Sequence, residues 1–91
     1  MSFKGQPISK DEFDKMKNRF FKKNPDQTKH VIFDRETFER ILKNKDISHI
    51  SVVFGTDDAE RTTVMFVGMD SKGEMMYATA ENRGQPCPPY C

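Results

Sequence analysis

Residues 49–80, HISVVFGTDDAERTTVMFVGMDSKGEMMYATA, decide the fold class. At their centre, residues 62–69 (TTVMFVGM) are rich in β-branched and aromatic side chains and hold no charge, the composition of a strand. Upstream, Ile50, Val52 and Phe54 alternate with Ser51 and Val53, so residues 49–54 read as a half-buried strand. Downstream, Asp70-Ser71-Lys72-Gly73 is a turn with glycine where a hairpin needs positive φ, and residues 74–80 form the next strand. Three strands in succession, joined by residues 55–61 and by that turn, make an antiparallel meander.

Ahead of the meander the period changes. Ser9 and Glu12 have capping-box spacing, Ile8 and Phe13 flank them as a hydrophobic staple, and Phe13, Met16 and Phe20 recur on one helical face. Asn24-Pro25 stops that helix, which is predicted over 10–23. HVIF at 30–33 reads as a short buried strand. Asp34 then caps a second helix whose Phe38, Ile41 and Leu42 share a face, with Phe33 and Phe38 as a second staple.

The resulting order is α-β-α-β-β-β, an α+β domain over 1–80 followed by an extended tail over 81–91. Helix two makes a crossover near the shortest that a parallel βαβ unit allows. The expected architecture is a mixed four-stranded sheet with both helices on one face. Residues 64–69 place Val64 and Phe66 on one side and Met65, Val67 and Met69 on the other, so both sheet faces are apolar and the second needs a cover.

Charge narrows the function classes. The formal net charge is +1, too small to argue for nucleic acid as a partner. The halves differ: residues 1–45 hold 12 Lys/Arg and 7 Asp/Glu, and residues 46–91 hold 3 and 7. Lys15, Lys17, Arg19, Lys22 and Lys23 surround Phe20 and Phe21 on helix one, a pattern that resembles weak nucleic-acid or acidic-partner binding, but Asp11, Glu12 and Asp14 lie nearby and no nucleic-acid-binding signature occurs, which favours a solvated helix face. No apolar run reaches the ~18 residues of a membrane span, and the start MSFKGQPISK lacks a secretory apolar core, so the expected compartment is the cytoplasm and no membrane partner is expected.

The tail GQPCPPYC carries the remaining chemistry. Pro86, Pro88, Pro89 and Tyr90 form a candidate interaction segment that favours extended polyproline backbone. Extended backbone would hold the Cα atoms of Cys87 and Cys91 about 12 Å apart, beyond disulfide reach. Closing that gap needs a sharp turn, such as a cis peptide before Pro88 or Pro89. Two thiolates suit a soft metal, zinc or copper, and Cys87 and Cys91 with His30 and His49 would complete a tetrahedral set. The C-x3-C spacing is not that of thioredoxin-like enzymes. Asp57, Asp58 and Glu60 read as a cation-binding loop or as ordinary acidic turn residues. No catalytic motif is present: Ser9 is committed to capping, and neither a nucleophile elbow nor a phosphate-cradling glycine loop occurs.

Through PCPPYC at Pro86 to Cys91, and more loosely through the FGTDD and VGMD segments, the chain resembles a family of small uncharacterised bacterial proteins with a similar proline and cysteine ending. That resemblance implies a grouping and no activity. The functional expectation is a non-enzymatic protein-binding or self-association module, with or without a homodimer, that uses the second sheet face and the tail. Thiol redox or soft-metal binding through Cys87 and Cys91 is the alternative.

Overall fold

The computed structural model describes residues 3–88, in the order α1 (Lys10–Lys23), β1 (His30–Ile32), α2 (Arg35–Leu42), β2 (His49–Thr56), β3 (Thr62–Met69), β4 (Met75–Glu81) and β5 (Gln85–Cys87). The α+β class holds. β2, β3 and β4 form the expected antiparallel meander with β3 in the middle, and Gly73 adopts φ 85° in the second turn.

The four-stranded mixed sheet does not form. β1 leaves the meander and pairs antiparallel with β5, giving a separate two-stranded ribbon in which Val31 faces Pro86 and His30 faces Cys87. The prolines that set residues 81–91 apart as an extended tail do not prevent this. A proline lacks a donor, but both strands of a two-stranded ribbon are edges and tolerate one. β4 also runs on to Glu81, so the segment begins as sheet and soon becomes sheet again.

Both helix starts are built as their sequences dictate. Ser9 Oγ accepts from the Glu12 N–H at 3.1 Å, and Asp34 Oδ1 accepts from the Thr37 N–H at 3.0 Å and its hydroxyl at 2.7 Å. Their tertiary fates differ. α2 packs on β3 and β4 and buries Ile41 to 1% exposure, whereas α1 buries no residue and leaves Phe13, Met16 and Phe20 exposed at 54%, 51% and 45%. The expectation of two helices covering one sheet face is therefore half met. The eight-residue α2, about 12 Å long, packs on β3 and β4, and Val52 and Phe54 of β2 are left exposed.

Three phenylalanines join the ribbon, α2 and the meander. The Phe66 ring meets Phe33 edge-on at 4.8 Å and Phe38 at 4.9 Å, and Phe33 and Phe38 are 6.4 Å apart. Gly84 lies against Phe33 and Val31 so closely that a Cβ there would sit 2.6 Å from each side chain. Arg40 of α2 grips Glu81 at the end of β4 with two parallel bonds, Nη2–Oε1 at 2.8 Å and Nε–Oε2 at 3.2 Å. Where β4 bulges against β3, Thr79 Oγ1 repairs the ladder by accepting from the Gly68 N–H and donating to the Met76 carbonyl.

Two measurements check this framework. Phe66→Ala removes the ring shared by both neighbours and should cost about 3 kcal/mol in denaturant unfolding, with an unchanged midpoint arguing against the cluster. Hydrogen bonds from Arg40 hold the Glu81 carboxyl below its ordinary range. A depressed carboxylate stabilises the fold above its unfolded pKa and loses that contribution as pH falls through the folded one. Glu81→Gln should therefore lower the melting temperature at neutral pH and converge on the parent in acid.

Candidate interaction surface

The sequence-predicted site residues do not assemble into one site. Cys87 is 2% exposed and disulfide-bonded, and the Cys87–Pro88 peptide is cis. The backbone is extended through Cys87, and Pro88 lies in a turn. Cys91, the only other cysteine of the sequence, lies outside the described residues, as do Pro89 and Tyr90 of the expected interaction segment. Pro86 is half-buried within β5, and Pro88 is exposed beside the 26–28 turn and Thr62.

The two histidines part company. His30 sits opposite Cys87 in the ribbon, while His49 opens β2 in the other sheet, with its ring edge-on to Phe3 at 5.2 Å. Among the described residues no group of three or more His, Cys, Asp or Glu side chains could hold a metal ion. The acidic loop is occupied by its own chain. Asp57 Oδ1 accepts from the N–H groups of Ala59 and Arg61, and Oδ2 accepts from Arg61 Nε at 3.1 Å. The Arg61 N–H, followed by the guanidinium charge, holds the Asp57 carboxyl below its ordinary range.

One arrangement was readable as neighbours in sequence and overlooked: Ser48 Oγ lies 3.2 Å from His49 Nδ1. The pair is exposed, and among the described residues no carboxylate hydrogen-bonds the imidazole to orient it as a base. It lines one end of an open groove of about 780 Å³ whose other walls include Phe3, Leu42, Ile47 and Val52. That groove is mainly apolar and lies between the end of α2, at Leu42, and the first half of β2.

On α1 the cations divide. Lys10 and Lys17 both bond Asp14, at 2.6 and 3.2 Å, which holds the Asp14 carboxyl below its usual range. Lys17 also stands over the Phe13 ring at 5.6 Å, and Lys29 over Phe21 at 5.4 Å. Phe21, off the main stripe, is thus the half-buried aromatic of the helix, packed edge-on to Phe20. Among the described residues, Lys15, Arg19, Lys22 and Lys23 have no carboxylate partner within ion-pair distance.

The arrangement leaves much apolar surface open. A compact chain of 10.6 kDa exposes about 5,500 Å². This one exposes 7645 Å², about 2,100 Å² more. Its radius of gyration is 14.7 Å, where about 12 Å is usual for 91 residues. The exposed large apolar groups include the Phe13–Met16–Phe20 stripe on α1 and Leu42, Val52 and Phe54 around β2, with Ile32 on β1 and Met75 and Tyr77 on β4 exposed as well. No helix among the described residues is long and apolar enough to cross a membrane. Compared with known proteins, the chain matches no family model, no curated protein and no solved structure.

Proposed function

We propose that this chain is a small non-enzymatic binding module that associates, with another protein or with a second copy of itself, through apolar surface its own fold leaves open. The observation that carries the reading is the exposure of Phe13, Met16, Phe20, Val52 and Phe54, on a chain whose total surface exceeds that of a compact chain of its mass by roughly 2,100 Å². A standard interface removes about 800 Å² from each partner, so the surplus is of the right size. The tail belongs to this reading as a brace. With Cys87 buried and β5 paired to β1, it closes the ribbon and leaves contact to α1 and β2. The proline and cysteine ending groups the chain, within the same proposal, with small bacterial proteins that share it.

Sedimentation of the full chain over a concentration series, with an apolar dye as a second reporter, tests the module. A mass above 10.6 kDa and strong dye fluorescence are expected. Phe13→Ser, Met16→Ser and Phe20→Ser together should dim the dye while leaving the circular dichroism of the sheet unchanged. A monomer at every concentration with no dye binding would reject the reading.

The disulfide at Cys87 favours a second reading, thiol redox or soft-metal chemistry at the ribbon. In the cytoplasm, the compartment we infer, thiols are held reduced, and a dithiol reductant would open the bond by supplying two electrons and two protons. Freed Cys87 would then stand directly across the ribbon from His30, a nitrogen and sulfur pair suited to zinc. Intact mass after alkylation, with and without reductant, checks the redox state. Zinc titration of the reduced chain should register uptake that His30→Ala weakens, and no uptake by the reduced chain ends this reading.

A further inference from the structure

In an antiparallel pair, residues alternate between those that exchange backbone bonds with the neighbour and those whose N–H and C=O point away. On the register that joins β2 to β3, Gly55 lies opposite Thr63, and two residues on the Asp57 N–H donates to the Arg61 carbonyl at 2.9 Å. The odd-numbered positions of β2 therefore bond β3, and Ile50, Val52 and Phe54 turn their N–H and C=O groups to the open side. Among the described residues no backbone hydrogen bond reaches them from that side.

Edges of this kind are ordinarily blunted by charge, proline, a bulge or short length. β4, the opposite edge of the meander, follows that rule: it is bulged against β3 and ends in Glu81. β2 does not. Its eight residues, HISVVFGT, include no Asp, Glu, Lys, Arg or Pro and pair with β3 without a register shift. Beside the open backbone, Val52 and Phe54 are 51% and 75% exposed.

We propose that β2 is the contact edge of a two-fold dimer in which it pairs antiparallel with β2 of a second copy, joining two three-stranded sheets into one of six strands. The proposal rests on the binding-module reading and names its partner. An open backbone ladder otherwise bonds water, and a second strand is the partner that replaces that water along its whole length. Pairing a strand with itself sets like residues near like, which repels wherever the strand is charged, and β2 has no charged residue. With the two-fold axis at Val52, that residue meets its own equivalent and Ile50 meets Phe54 of the second copy, and all three are positions with outward backbone groups. An axis normal to the sheet keeps both α2 helices on one face, and Leu42, Val52 and Phe54 of the two copies would close the gap between them. The surface such a dimer removes, about 600–1,000 Å² per chain, falls within the surplus the monomer exposes.

Sedimentation equilibrium of the full chain, alongside Val52→Pro, Phe54→Lys and the Phe13→Ser/Phe20→Ser double variant, tests the edge. Proline at 52 removes only an outward N–H and leaves the bonds to β3 in place. The parent should reach twice 10.6 kDa. Val52→Pro and Phe54→Lys should each weaken the dimer about tenfold or more with unchanged circular dichroism, and the α1 variant should not. If proline at 52 unfolds the chain, Phe54→Lys decides, because that exposed side chain contributes little to the monomer. A dimer that tolerates both β2 changes overturns the edge. If the α1 variant dissociates it instead, the module reading survives through the helix. A parent that stays at 10.6 kDa throughout, with no dye binding, overturns both.

Discussion

Phe66 is the point on which the fold turns. Its ring, projecting from the central strand, receives the edges of Phe33 and Phe38, and those two residues bring the end of β1 and the first turn of α2 onto the meander. Ring pairs in this geometry add attraction beyond their buried area. The Asp34 cap sets the angle at which the chain enters α2, because Phe33 and Phe38 are also the staple around that cap. One cluster thus does the work of a local signal and a tertiary one. Gly84 can pass over it only because it has no side chain, and that passage carries the chain to pair with β1.

What the cluster cannot do is cover the sheet. Among the described residues, Ile41, Val67 and Cys87 are the buried hydrophobic ones, a small core. A single short helix lies over β3 and β4, and β2 is left with one uncovered flank and one unpaired edge. The apolar stripe of α1 could have served as a second cover and does not, so two apolar surfaces remain open for one structural reason: the chain has too few layers for its strands.

How much of this was legible depended on range in sequence. The caps at Ser9 and Asp34, the turn glycine at Gly73, and the alternation in β2 and β3 are local, and the extents of the helices and strands followed from them within a residue or two. The partner of β1 was not legible, since it lies more than fifty residues away in a segment whose prolines argue against strand structure in any sheet except a two-stranded ribbon. Alternation in β2 revealed that two faces exist but not which would be covered, and Val52 and Phe54 fell on the open flank because of the length and placement of α2. The candidate site fared alike. Cys87 stood out by composition, but its burial, its cis peptide and its pairing with His30 are tertiary facts. Ser48 beside His49 was visible all along and carried no signal without a third group.

The charge asymmetry between the halves takes on a structural meaning from the same constraint. Six of the chain's cations lie on α1, two of them already neutralised by Asp14, and of the rest Arg19 and Lys23 fall beside the Phe13–Met16–Phe20 stripe by helical spacing. Three of the seven carboxylates of the second half are spent internally: Asp57 on its own turn, Asp70 on the Lys72 and Glu74 N–H groups, Glu81 on Arg40. These three build turns and hold β4, while among the described residues Lys15, Arg19, Lys22 and Lys23 of the basic half make no ion pair. A helix presenting free cations around an apolar stripe is suited to a partner with acidic and apolar groups together, whereas the uncharged edge of β2 is suited to a strand. The two open surfaces differ in the chemistry they can recognise, and a chain that self-associates through β2 would still present α1 to something else.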